Sequence, residues 1–204
     1  KKNKKISIDG ISFDSKKVKK KNIFFAIEGQ RESGTKFIKE ALLNGASVIV
    51  SNKKIKYLNK NVPLIVVKDV RKSLSEACSN FFKEKPQNII AVTGTNGKSS
   101  VADFFYQILN FNKKPVASIG TLGIFSKNYK KKTKLTSLDP LTLHRNLQIL
   151  ARNKIKHVIL EASSHGLKQK RLDNLKIKTG IFTNLSHDHL DYHKNMRSYF
   201  NSKM

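Results

Sequence analysis

Asn88-Ile-Ile-Ala-Val-Thr-Gly-Thr-Asn-Gly-Lys-Ser-Ser100 is the stretch on which the fold turns. A continuous apolar run predicts a buried strand over 89–93, and Val101, Phe104, Phe105, Ile108 and Leu109 continue at the spacing of one helix face, predicting a helix over 98–110. Between them lies a tight glycine turn. Gly94 and Gly97 let backbone N–H groups close around phosphate oxygens, with the positive end of the helix dipole facing the anion. In such a turn Lys98 reaches the β- and γ-phosphates and the Ser99 hydroxyl joins a Mg²⁺ shell. The candidate phosphate-binding set is Gly94, Thr95, Asn96, Gly97, Lys98, Ser99 and Ser100. Val92 stands where the longer phosphate-loop pattern has its first glycine, so the match is to a short form, Gly94-x-x-Gly97-Lys98-Ser99.

Outward from this loop, strands are predicted over 115–119, 157–160 and 179–183, with a helix over 140–153. Short apolar strands alternating with helices indicate a parallel α/β sheet covered on both faces. Upstream, strands over 22–27, 47–51 and 63–67, with helices over 36–44 and 71–83, form a second set. The polar stretch around Pro86 separates the two, giving domains 1–86 and 87–204. The basic stretch 127–134 reads as a solvated loop.

The chain has 204 residues, with 41 Lys+Arg against 14 Asp+Glu and a net charge of +27. Only six of the basic residues are Arg, whereas phosphate and base recognition favours the planar fork of that side chain. The charge therefore reads as solvated faces, and no nucleic-acid partner is expected. The single cysteine, Cys78, excludes an internal disulfide and a cysteine-built zinc site and reads as a small buried residue. No apolar run is long enough to span a bilayer, and the lysines at the start have no apolar segment behind them. No membrane partner and a cytoplasmic location are the expectation. The chain begins without Met and stops within a helix predicted over 197–204, so both ends are expected to be cut.

Glu161, closing the strand predicted over 157–160, puts a carboxylate at the carboxyl end of a parallel strand, where open α/β sheets bind ligands and where it can hold Mg²⁺. His187-Asp-His-Leu-Asp-Tyr-His193 gathers three histidines in seven residues. It reads either as a metal-binding segment or as a polar loop of hydrogen-bonded histidines, and no H-E-x-x-H accompanies it. Ser163-Ser164-His165 lacks the G-x-S-x-G elbow of a serine nucleophile.

Taken in order, the short loop Gly94–Ser99, Thr136-Ser-Leu-Asp-Pro-Leu-Thr-Leu143, Glu161-Ala-Ser-Ser-His-Gly-Leu-Lys-Gln-Lys-Arg171 and Thr183-Asn-Leu-Ser-His-Asp-His-Leu-Asp-Tyr-His193 resemble the Mur ligase family, closest to its tripeptide-forming members. Asp14-Ser15-Lys16 and Asn22-Ile-Phe-Phe-Ala-Ile-Glu-Gly29 extend the resemblance upstream. It implies a small α/β amino-terminal domain that binds the uridine nucleotide, followed by a parallel-sheet, P-loop ATPase-type central domain. That central domain would be incomplete and the carboxyl-terminal domain absent, so the chain alone is expected not to catalyse ligation. The implied reaction is ATP-dependent amide formation: the carboxylate of UDP-N-acetylmuramoyl-L-alanyl-D-glutamate becomes an acyl phosphate, which a diamino acid attacks, either meso-diaminopimelate, the commoner choice in the family, or L-lysine. Alternatives are the next Mur enzyme, a folylpolyglutamate synthetase, or a non-catalytic nucleotide-binding fragment.

The resemblance also assigns residues. Lys98 and Ser99 hold phosphates and a first Mg²⁺ that Glu161 joins, and His189 is ligand to a second. Thr136, Ser137, Ser163, Gln169 and Arg171 match positions that hold the muramoyl-peptide, Ser15 a uridine contact, and Gln30 and Arg31 the uracil loop. Lys203 falls where the family carries a carbamylated lysine, which completes the catalytic set Lys98, Glu161, His189 and Lys203. A monomer is implied. Ser137, Lys16 and His187 depart from the family's usual Thr, Arg and Arg.

Overall fold

The computed structural model describes residues 6–29, 32–56 and 61–204. Two compact units divide the chain at Ala77/Cys78, inside a helix rather than at Pro86. Among the described residues each unit carries one sheet.

The first unit runs β1 (Gly10–Ser12), β2 (Asn22–Phe25), α1 (Ile38–Leu43), β3 (Ala46–Ser51) and β4 (Leu64–Val66), and α2 (Val70–Phe81) leads out of it. Its strands pair in the order β1-β2-β3-β4, all parallel. Phe24, Ala26, Ile38, Ala41 and Ile49 form its core, each 4% exposed or less. The helix expected over 36–44 is split into a 3-10 turn, Gly34–Phe37, and α1.

The second unit contains β5 (Asn88–Thr93), α3 (Lys98–Phe111), β6 (Val116–Gly120), β7 (Gly123–Ser126), β8 (Tyr129–Lys131), α4 (Pro140–Arg152), β9 (His157–Glu161), α5 (Ser164–Lys168), β10 (Ile177–Phe182), α6 (Leu190–His193) and α7 (Met196–Asn201). The sheet order is β10-β5-β9-β6-β7-β8. The first four strands are parallel, as expected, and β7 and β8 extend the sheet antiparallel. The stretch 127–134 is therefore not simply a solvated loop, because Tyr129–Lys131 pairs with β7. Lysines on the exposed positions of β8 had hidden the strand's alternation.

Asp139 starts α4, its carboxylate accepting from Thr142 N at 2.9 Å with Pro140 in the first turn. Leu143, Leu147 and Leu150 then recur on one face and are buried against Ile89, Ala117, Ile119, Val158 and Leu160. Truncating a fully buried leucine such as Leu147 would cost about 2–5 kcal/mol. α3 covers the other face, where Ala102, Val101 and Phe105 pack on Ile90, Val92 and Ile159. The carboxyl ends of β5 and β9, Thr93 and Glu161, are buried beside the start of α3.

Candidate active site

The turn between β5 and α3 takes the shape its glycines permit. Gly94 has φ +144° and Gly97 φ +82°, and a side chain at Gly94 would collide with Thr183 Oγ1. The loop is clamped from the segment after β10. Thr95 N donates to Asn184 O (2.9 Å), Asn96 N to Asn184 Oδ1 (3.0 Å) and Thr183 Oγ1 to Asn96 O (2.6 Å). Thr95 Oγ1 accepts from Ser186 N (2.9 Å) and lies 3.0 Å from the Tyr199 hydroxyl.

Two lysines converge on one carbonyl of this loop. Lys98 Nζ donates to Gly94 O (2.9 Å) and Thr95 O (2.7 Å), and Lys203 Nζ donates to the same Gly94 O at 2.6 Å. Lys203 is only 8% exposed and stands over the Tyr199 ring at 4.5 Å. Burial pushes its ammonium down to about 8, against the pull of Asp188. Burial, and then the neighbouring Lys203, also hold Lys98 below the usual lysine value.

Glu161, 3% exposed, ends β9 beside the loop. Its carboxylate accepts from Ser99 Oγ (2.9 Å), Thr121 N (2.9 Å) and Thr121 Oγ1 (3.1 Å). Thr121 Oγ1 also lies 3.0 Å from Thr136 Oγ1. The chain of bonds continues through Ser137, whose Oγ donates to Glu161 O (2.9 Å), accepts from Ser163 N (2.8 Å) and lies 3.0 Å from Ser163 Oγ. Arg171 Nη1 donates to Ser137 O (2.6 Å), and its Nε and Nη2 donate to Gln169 Oε1 (3.1 and 2.8 Å). Gln169 Nε2 in turn reaches the Tyr192 hydroxyl at 3.3 Å. Ser99, Glu161, Thr136, Ser137, Ser163, Gln169 and Arg171 are thus brought into one hydrogen-bonded network. Ser163 is at the same time the N-cap of α5, accepting from Gly166 N.

His189 has a left-handed backbone (φ +51°), lies 3.4 Å from Asp188 and meets His165 edge-on with ring centroids 4.8 Å apart. His165 stacks on Tyr192 at 4.1 Å and His193 tilts against Tyr199 at 5.2 Å. Burial lowers the pKa of both His165 and His193, helped at His165 next by His189 and at His193 next by Lys168. His189 and His193 of the histidine run therefore join His165, Tyr192 and Tyr199 in an aromatic cluster. Among the described residues no three His, Cys, Asp or Glu side chains gather as a metal-holding group.

In the first unit Ser15 is 6% exposed and its hydroxyl donates to the Glu40 carboxylate, with Asp14 capping the turn that carries it. Gln30 and Arg31 lie outside the described residues. Thr183 and Asn184 stand in a quoted motif without an assigned role, and Thr121 and Tyr199 were not singled out in the sequence. Each acts through a partner 15 to 104 residues away, which no local pattern reveals.

A glycine loop opening a helix on a parallel sheet, with a buried carboxylate at the end of the adjacent strand, defines a phosphate-loop α/β protein. The chain belongs to the Mur ligase family: residues 92–204 match the Mur ligase middle domain and residues 7–82 the Mur ligase family catalytic domain. It is 41% identical over 199 residues to the UDP-N-acetylmuramoyl-L-alanyl-D-glutamate–2,6-diaminopimelate ligase of Brucella melitensis, covering 98% of this chain and 41% of that one. It is 44% identical over 203 residues to the ligase of the same name from Rickettsia conorii, covering 97% and 42%. A solved structure of a ligase of that name superposes with a TM-score of 0.82 at 33% identity over 96% of this chain and 40% of that chain. The MurF ligase of Thermotoga maritima in complex with ADP shares the fold, with a TM-score of 0.60 at 23% identity over 95% of this chain and 42% of that chain. The chain spans about two fifths of the length of the curated relatives it matches. No helix among the described residues is long and apolar enough to cross a membrane.

Proposed function

We propose that this chain carries the nucleotide-binding part of an ATP-dependent amide ligase of peptidoglycan precursor synthesis, working in the cytoplasm as a monomer. Its substrates are UDP-N-acetylmuramoyl-L-alanyl-D-glutamate and a diamino acid, 2,6-diaminopimelate, the latter supported by the names of the relatives. The observation that carries the reading is the continuous network from Ser99 through Glu161, Thr121 and Ser137 to Arg171. It joins a phosphate-binding turn to an arginine suited to a carboxylate, the two anions that such a ligase must bring together.

The residues fit the implied cofactors. The turn around Gly94 and Gly97 has no side chains on its glycines to block an anion, and Ser99 Oγ with the Glu161 carboxylate offers the hard oxygen donors that Mg²⁺ takes. Bound ATP with Mg²⁺ supplies the phosphoryl group that activates the substrate carboxylate and the charge that neutralises its approach. Lys98 holds phosphate oxygens, and His189 serves a second Mg²⁺. Thr136, Ser137, Ser163, Gln169 and Arg171 orient the muramoyl-peptide, while Ser15, with Gln30 and Arg31, serves the uridine end. In the assignment to domains, 1–86 takes the UDP-substrate and 87–204 the ATP.

Lys203 is proposed to be carbamylated. At a pKa of about 8 roughly one molecule in ten carries the neutral amine at pH 7. Its nitrogen lone pair forms a C–N bond to CO₂ and releases one proton to solvent. The product is an anion beside Lys98, so a repulsion between two ammoniums sharing Gly94 O becomes an attraction.

Calorimetric titration of UDP-N-acetylmuramoyl-L-alanyl-D-glutamate into the chain with Mg²⁺ tests the reading. Binding should exceed that of UDP-N-acetylglucosamine and fall at least tenfold in Arg171→Ala, the scale of a hydrogen bond to a charged group. Equal binding of the two nucleotides would overturn the substrate assignment.

A further inference from the structure

The turn between β6 and β7 sets one hydroxyl between the metal carboxylate and the muramoyl-peptide residues. β6 ends at Gly120 and β7 begins at Gly123, so Thr121 and Leu122 form a two-residue hairpin turn. Turns of that length favour Asn-Gly, Asp-Gly or a leading glycine, so the turn itself does not call for a β-branched residue. The hydrogen bonds of Thr121 do. Its backbone N–H donates to Glu161 Oε1 at 2.9 Å and its hydroxyl to Glu161 Oε2 at 3.1 Å, so one residue holds both oxygens of the carboxylate. Thr133 Oγ1 donates to Gly120 O at 2.9 Å and docks the segment after β8 on this turn, where Thr136 Oγ1 comes within 3.0 Å of Thr121 Oγ1. Ser99 Oγ reaches the same Oε2 from the phosphate-turn side at 2.9 Å.

Counting hydrogens gives this arrangement a direction. A threonine hydroxyl has one hydrogen and two lone pairs, whereas a carboxylate only accepts. With the Thr121 hydrogen on Glu161 Oε2, the bond between the two threonines is made by the Thr136 hydrogen, which therefore points inward. Thr136 then offers only lone pairs outward, the wrong polarity for a carboxylate or a phosphate. A divalent cation sharing Oε2 makes that oxygen a poorer acceptor, and the Thr121 hydrogen turns to Thr136 Oγ1. The Thr136 hydrogen is then free to face an anion. The parallel link through Ser137 ends on the Glu161 backbone carbonyl, which is not the group a cation on the carboxylate would share.

We propose that Thr121 is a positioning residue that couples the two ligand sites: with the Mg²⁺–nucleotide site occupied, its hydroxyl turns from Glu161 to Thr136, and nucleotide and muramoyl-peptide strengthen each other's binding. The inference rests on the proposed assignment of Glu161 to Mg²⁺ and of Thr136 to the muramoyl-peptide. Such coupling is reciprocal, so either ligand tightens the other by the same factor.

Calorimetric titration of UDP-N-acetylmuramoyl-L-alanyl-D-glutamate into the chain, with and without saturating Mg²⁺ and a non-hydrolysable ATP analogue, reads the coupling as the ratio of two dissociation constants. The ratio should be about fivefold or more in the unaltered chain, the lower end of typical couplings. It should fall below about twofold in Thr121→Val, which keeps the backbone N–H on Glu161 and lacks the hydroxyl, and in Thr121→Ala, which cannot crowd the turn. Thr121→Ser, which keeps the hydroxyl, should retain the full ratio. Titrating the analogue with Mg²⁺ into the chain with and without the muramoyl-peptide should return the same ratios. A ratio near one in the unaltered chain, or a ratio that survives in Thr121→Val and Thr121→Ala, overturns the proposal. So does an equal loss in Thr121→Ser, which would assign the effect to the methyl group. Muramoyl-peptide binding no tighter than that of UDP-N-acetylglucosamine would overturn the substrate assignment and this inference with it, whereas selective binding without coupling overturns this inference alone.

Discussion

Glu161 keeps its place because Gly120 has no side chain. A Cβ built at Gly120 would overlap the Glu161 carboxylate, which lies against the end of β6 and accepts both Thr121 donors there. Gly120→Ala should therefore push the carboxylate off Ser99 and weaken binding of Mg²⁺ with an ATP analogue about tenfold, measured by calorimetry, while the far-ultraviolet dichroism stays unchanged. Lys203 gives a second expectation. At fixed dissolved ¹³CO₂ a carbamate resonance should appear in the chain, grow as pH rises from 6 to 8 and vanish in Lys203→Arg. Over that range the neutral amine rises from about one hundredth to about one half of the total. That Lys98, Ser99 and Glu161 meet around one turn was legible in the sequence, because a local strand-turn-helix pattern and the end of the next parallel strand place them there. Gly120 was not, since its role is the room it leaves for a carboxylate 41 positions on, and nothing local distinguishes Lys203 as the one buried beside the loop.

α4 shows what one buried polar ring does to an element. His144 is fully buried, neither ring nitrogen has a hydrogen-bond partner, and burial followed by Lys85 pushes its pKa down to about 4. The unfolded chain protonates this histidine near 6.5 while the folded one resists, so its stability contribution is intact above 6.5 and is lost as pH falls toward 4. The loss is on the order of 3 kcal/mol. His144→Leu should raise the melting temperature at pH 5 by more than at pH 7.5, and equal shifts at the two pH values would contradict the assignment. The apolar spacing and the Asp139-Pro140 start made α4 readable to within one residue of its observed end. The β7–β8 hairpin was not readable, because its lysines sit where alternation would otherwise show and its register is set by pairing with β6.

At the scale of the whole molecule, 41 basic residues face 14 acidic ones, and the described ion pairs are mostly exposed. Self-repulsion of this size acts against the compact state and is screened over about 10 Å at 0.1 M salt. Melting temperature should rise by about 3–6 °C between 20 and 300 mM sodium chloride, equivalent to roughly 1–2 kcal/mol. No rise would mean that the lysines are spaced too widely to interact. The clamp on the phosphate loop has a consequence in time. Thr95 and the Tyr199 hydroxyl that meets it are 104 residues apart. At about 5–20 residues per second a ribosome makes the second roughly 5–20 s after the first. Through that interval the emerging polypeptide holds the glycine-loop sequence without its buttress, so the clamped shape of the loop arrives with Tyr199 and not with the loop that encodes it.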